Sequence, residues 1–179
     1  MNTFEVSIYP ELSALGGFRV LEGTLALASY EVGGQQFALD DGISYELKLT
    51  NTGEAVLLEG VVRAHATSSC ARCLEPARVY IEGEAQGYYL HEHVDEVEGM
   101  EPDEYDFVDE AGNIDVGASI LAALVHATPF VVLCREDCRG LCPICGQNRN
   151  VAPCTCQEGG ERQSPFSALS HLLTEDEEV

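Results

Sequence analysis

Tryptophan is absent from the chain, methionine occurs twice, and basic residues are scarce: nine Lys and Arg stand against 31 Asp and Glu in 179 residues, a formal net charge of −22. Affinity for nucleic acid comes largely from cations that displace counterions from phosphate, so the shortage of basic residues disfavours non-specific RNA binding by the surface as a whole. A basic protein partner, attracted over long range, fits the charge instead. Solubility alone is the other use of so many acids. No apolar run approaches the roughly 18–20 residues of a transmembrane helix. Residues 1–12 carry acids and no basic cluster ahead of an apolar stretch, which is not the pattern of a signal peptide. The expectation is a cytoplasmic protein with neither a membrane nor a small molecule among its partners.

Cysteine, by contrast, is abundant, with eight residues. A chain of this length buries a core without covalent staples. Cytosolic thiols stay reduced, so clustered cysteines there point to metal before disulfides.

The first ninety residues read as strands. Phe4, Val6 and Ile8 alternate with polar neighbours, and Leu25 and Leu27 do so more weakly. Ile43, Tyr45, Leu47 and Leu49 alternate cleanly with Ser44, Glu46 and Lys48, the pattern of a strand with one buried face. Asn51-Thr52-Gly53 is a turn. Leu58, Gly60, Val62, Ala64 and Ala66 then share one face of a long strand, and Val79, Ile81 and Ala85 mark its return. Between them Cys70-Ala71-Arg72-Cys73-Leu74-Glu75-Pro76 should form a hairpin tip, because Pro76 cannot donate to a central ladder. Residues 91–110 hold ten acids and no Lys or Arg, as expected of a mobile acidic loop. A helix should follow, with Asp115 as N-cap and Val116, Ile120, Leu124 and Ala127 at helical spacing, ending at Thr128-Pro129. A second short helix is expected from Ser164-Pro165, burying Phe166, Leu169 and Leu173.

The predicted fold is α+β and β-rich: a curved antiparallel sheet or partial barrel, one or two short helices, and a cysteine-rich C-terminal zinc-binding segment. Its divisions are a β body (1–90), an acidic flexible loop (91–112), a helix and connector (113–133), the cysteine-rich segment with its short helix (134–174), and an acidic tail (175–179).

Six cysteines fall within residues 134–156, and these are the candidate metal ligands: Cys134, Cys138, Cys142, Cys145, Cys154 and Cys156. Cys142-Pro143-Ile144-Cys145-Gly146 is the most informative element. Two residues between cysteines let both sulfurs face one point, and the glycine permits a tight turn that frees amides to donate to sulfur. A structural Zn²⁺ takes four such ligands in a tetrahedron and leaves no open position for catalysis. Six ligands exceed one such site. Either two are spare, or Cys70 and Cys73 join to complete a second. Taken alone, Cys70 and Cys73 also read as a redox dithiol, although flanking strands are the wrong context for one. His91 and His93 read as solvated residues of the acidic loop. The segment is the least acidic part of the chain, with Arg135, Arg139, Arg149 and Arg162 balancing four acids, so any direct RNA contact would fall there, ordinary surface arginines being the other reading.

Cys70-Ala71-Arg72-Cys73-Leu74-Glu75-Pro76, and the run from Leu133 through Cys134, Cys138, Gly140, Leu141, Cys142, Pro143, Cys145, Gly146 and Asn148, resemble the YceD family, the large ribosomal RNA subunit accumulation proteins. Cys154, Cys156 and Ser164-Pro165-Phe166 also fit. The chain departs from the family pattern in its expanded acidic loop and in Arg149, where an aliphatic residue is common. The resemblance implies a bacterial factor for 23S rRNA accumulation or processing and large-subunit assembly, with no catalytic residues to carry over. It would act by binding a basic ribosomal protein or a large-subunit precursor. The competing classes are a thiol-redox or zinc-dependent enzyme, and a structural zinc-ribbon-like interaction module unrelated to ribosomes.

Overall fold

The computed structural model describes residues 4–91, 99–102 and 104–156. Among these residues nine strands precede one helix: β1 (Glu5–Ser7), β2 (Phe18–Leu25), β3 (Ser29–Val32), β4 (Gln35–Leu39), β5 (Ile43–Asn51), β6 (Ala55–Ser69), β7 (Pro76–Leu90), β8 (Asp106–Phe107), β9 (Asn113–Asp115) and α1 (Val116–Ala127).

The spine is the long hairpin of β6 and β7, paired from Ala55↔Leu90 to Ser69↔Pro76. Along its other edge β6 pairs first with β5 and then, near its end, with β4. β2 extends the sheet beyond β5, and β3 beyond β4. The alternation read at 43–49, 58–66 and 79–85 is realised as burial: Ile43, Leu47, Leu49, Leu58, Val62, Ala64, Ala66, Ile81 and Ala85 all face the core. Among the described residues the sheet is open, with its strands not closing on one another. It is not wholly antiparallel either, since β8 pairs with β7 in parallel. This short strand lies within the 91–112 segment expected to be a loop. Every sheet pairing within residues 18–90 is antiparallel, as expected of the body, and β8 joins from outside it, running parallel to β7 as no tight hairpin could.

α1 begins and ends where the sequence placed it. The Asp115 side chain accepts from the Gly117 amide, and Thr128 ends the helix ahead of Pro129. Ile120, Ala123 and Leu124 form its buried stripe over β6 and β7. Close approach depends on glycine: a Cβ on Gly83 would stand 2.5 Å from the Ala123 carbonyl oxygen. Asp115 also accepts from the Phe4 amide at 3.0 Å, so one carboxylate caps the helix and holds the chain just ahead of β1. β1 pairs with β9. Among the described residues no helix is long and apolar enough to cross a membrane. The expected helix at Ser164-Pro165 and the acidic tail lie outside the described residues.

Candidate metal centres

The tip of the β6–β7 hairpin spans Cys70 to Glu75. The Cys70 amide donates to the Glu75 carbonyl at 2.8 Å, and the Leu74 amide donates back to the Cys70 carbonyl at 2.9 Å. This tight return brings both sulfurs to one side. Leu74 takes a left-handed backbone (φ 63°), a conformation that usually selects glycine. The segment after α1 docks on this tip through its backbone. The Ala71 amide donates to the Val132 carbonyl at 2.8 Å, and the Leu141 amide donates to the Arg72 carbonyl at 3.0 Å. The Arg72 guanidinium then donates to the carbonyls of Glu136 and Cys138.

The result is a group of four sulfurs, from Cys70, Cys73, Cys134 and Cys138, all within 4.8 Å of one another. Cys70 and Cys138 stand 3.8 Å apart, and Cys73 and Cys134 stand 3.6 Å apart. Those separations are far beyond a disulfide bond of about 2.05 Å. They match the edge of about 3.8 Å in a tetrahedron whose metal–sulfur bonds are about 2.3 Å. Three of the four cysteines belong to the main hydrophobic core; Cys134 is exposed.

The second group comprises Cys142, Cys145, Cys154 and Cys156, again within 4.8 Å of one another. Its Cys142–Cys145 turn repeats the hairpin tip: the Gly146 amide donates to the Cys142 carbonyl at 2.9 Å, with Gly146 left-handed at φ 72°. Only Cys142 is buried; Cys145 is exposed, and Cys154 and Cys156 are half-buried. The intervening chain is folded by a bridge between Leu141 and Asn148 and by the Arg149 amide donating to the Gly140 carbonyl.

The thiols are strongly differentiated. Burial opposes ionisation of Cys70, but the amides of Cys134, Arg72 and Cys73 aimed at its sulfur outweigh that cost and hold it at about 6. The amides of Cys145 and Ile144 likewise bring Cys142 to about 6 against its burial. Burial is again outweighed at Cys138, by the Gly140 amide and the Asn150 side chain. Although the residue as a whole is exposed, local desolvation of its sulfur within the group, with the crowding of Cys73 and Cys138, pushes Cys134 up to about 12. A hydrogen bond with Cys145, then burial, raises Cys156 to about 12. Four sulfurs this close cannot all ionise without a cation between them. Each group thus supplies the donor set, spacing and amide support that a tetrahedral thiolate site for Zn²⁺ requires, and either group could hold a metal ion.

The six C-terminal cysteines named from the sequence therefore do not converge on one point. Cys142, Cys145, Cys154 and Cys156 gather together, whereas Cys134 and Cys138 gather with Cys70 and Cys73, over 60 residues earlier in the chain. The signal for that pairing was the count itself, eight cysteines as two sets of four, together with a second Cys-x-x-Cys turn. The redox dithiol context fails locally, since Cys70 and Cys73 sit on a hairpin tip and open no helix.

Fold and centres together define a class: a β-rich protein whose C-terminal segment is folded around two four-cysteine groups, one shared with the sheet. The sequence model of the family described as large ribosomal RNA subunit accumulation protein YceD matches residues 58–173, and the chain belongs to that family. Among curated proteins, uncharacterized proteins of Mycobacterium tuberculosis and Mycobacterium bovis are 35% identical over 118 residues, 64% of this chain and 56% of theirs. An uncharacterized protein of Mycobacterium leprae is 32% identical over 111 residues, 62% of this chain and 51% of its own. The match thus spans about half the length of these relatives. No solved structure matches the chain.

Proposed function

We propose that this protein is a non-catalytic, cytoplasmic factor of bacterial ribosome biogenesis that supports 23S rRNA accumulation or processing and assembly of the large subunit. It acts by binding a basic ribosomal protein or a subunit precursor, and two structural Zn²⁺ ions, one in each four-cysteine group, order its C-terminal segment. The observation that carries this reading is the family match over residues 58–173, a span that contains all eight cysteines. The charge of −22 favours a basic partner through long-range attraction. A metal held by four thiolates has no vacant position for water or substrate, which favours a structural role over hydrolysis. The residues between Cys134 and Cys156 carry the arginines best placed for any direct contact with RNA. Depleting the protein from growing cells and measuring the ratio of 23S to 16S rRNA tests the role: the ratio falls if the reading holds and stays unchanged if the protein serves another process.

One observation favours a second reading. A thiol at about 6 in a Cys-x-x-Cys turn, as at Cys70, is what a dithiol oxidoreductase uses. Its complete burial beside Cys138 argues for a metal ligand instead. Alkylation of the metal-loaded protein at pH 7 separates the two, since a working redox thiol reacts quickly and a zinc thiolate at this depth does not.

A further inference from the structure

The chain between Cys145 and Cys154 belongs to the second four-cysteine group, yet its best-bonded side chain serves the first. Asn150 sits in that stretch, and its amide oxygen accepts from the Arg139 backbone at 2.8 Å and from the Arg135 guanidinium at 2.6 Å. Two donors converge on one atom, so that atom must be the oxygen, and the orientation of the amide is fixed by chemistry. The amide nitrogen is thereby directed at the sulfur of Cys138, 3.3 Å away. Asn148 braces it, accepting from both the backbone and the side chain of Asn150 at 2.9 Å.

The two groups also differ in what holds them. The first hangs on a fifteen-residue strand ladder and the hydrophobic core. The second draws all four sulfurs from residues 142–156 and exposes more of them. A short polar loop of this kind is ordered chiefly by its metal.

Resting on the zinc reading above, we propose that the two metal sites are unequal and coupled: the Cys142–Cys145–Cys154–Cys156 site is the exchangeable one, and its occupancy sets how long the Cys70–Cys73–Cys134–Cys138 site keeps its metal, with Asn150 as the positioning residue between them. When the outer ion is present, the loop holds the Asn150 N–H on the Cys138 thiolate and its oxygen on the Arg135–Arg139 turn. When the outer ion leaves, both contacts loosen, and the inner site loses a sulfur hydrogen bond and the brace on one of its ligand loops. Groups that orient metal ligands in this way are worth about 10- to 100-fold in metal affinity.

The full chain, loaded with zinc, is mixed with excess 4-(2-pyridylazo)resorcinol, and zinc transfer is followed alongside elemental analysis of the same samples. The native protein should release one equivalent quickly and one slowly. Cys154→Ser, which breaks the outer site, should retain one zinc and lose it about tenfold faster than the native slow phase. Asn150→Ala should keep two ions and accelerate the slow phase similarly, and adding Cys154→Ser to it should accelerate that phase no further. Asn150→Asp keeps the acceptor oxygen for Arg135 and Arg139 but removes the donor to sulfur, so it too should accelerate the slow phase, with the brace retained. Two zinc ions whose slow release is unaltered by Cys154→Ser, or fully additive effects in the double variant, would overturn the coupling while leaving the zinc reading intact. Native release rates in Asn150→Asp would do the same. Zinc-free native protein overturns both.

Discussion

Leu74 is the structural counterpart of Gly146. Each follows the second cysteine of a Cys-x-x-Cys pair, each has a left-handed backbone (φ 63° and 72°), and each donates its amide to the carbonyl of the first cysteine at 2.9 Å. The hairpin tip and the C-terminal turn are therefore one local solution used twice, once with a residue that strains to adopt it. A left-handed leucine costs about 1–2 kcal/mol relative to its ordinary conformations, partly offset because glycine is freer when unfolded. Leu74→Gly should accordingly leave stability unchanged or raise it by up to about 1 kcal/mol, whereas β-branched Leu74→Val should lower it by more than about 1 kcal/mol. Urea denaturation of the metal-loaded variants reads the difference.

The seat of α1 on the sheet gives a second prediction. Gly83→Ala would place a methyl 2.5 Å from the Ala123 carbonyl oxygen and 2.9 Å from the Ala127 side chain. The helix must move outward, at a cost of about 1–3 kcal/mol. Ala123→Gly in the same background would not relieve it, because the nearest obstacle is backbone. Unfolding midpoints of Gly83→Ala, alone and combined, check this.

Asp115 joins two elements, accepting from Gly117 at the helix start and from Phe4 just ahead of β1. Asp115→Ala should cost about 1–2 kcal/mol, and Asp115→Asn, which retains the acceptor, less than half as much. Amide exchange at Phe4 and Gly117 should rise together in the alanine variant.

The pH dependence follows from the thiols. Cys70 and Cys142 are depressed to about 6, so in the metal-free protein their ionisation contributes stability that is present above the unfolded thiol range near 9 and lost as pH falls through about 6. Cys134 and Cys156 are raised to about 12, so their contribution is present below the unfolded range and lost as pH rises toward 12. Zinc bound as proposed would compete with protons for these sulfurs. Zinc affinity should therefore fall as pH falls and drop most steeply below about 6, where Cys70 and Cys142 take up protons too. Competition with a chelator between pH 5 and 8 measures the slope; affinity independent of pH would exclude thiolate ligation.

The strands at 43–51, 55–69 and 76–90 were legible because one face of each is buried and the period-two pattern survives intact. α1 was legible at both ends because its signals are local: a capping aspartate and a proline stop. β8 was not, since a two-residue strand in an acidic stretch carries no pattern, and its parallel pairing with β7 is decided by tertiary contact. The same limit applies to the two four-cysteine groups. Spacing showed that Cys142 and Cys145 act together, but the partner of Cys134 lies 61 residues earlier, and only the docking of residues 132–141 on the hairpin tip brings them together. Asn150 gave no sequence signal, because its role comes from a sulfur on a different loop.

In the proposed reading, eight thiols form two closed tetrahedral zinc sites, one built across the hairpin and the C-terminal segment. Elemental analysis of the anaerobically purified protein decides this, with Cys73→Ser and Cys145→Ser measured beside it. Two zinc ions per chain are expected in the native protein and one in each variant. Native protein with a single zinc that survives Cys73→Ser, or with none, would contradict it.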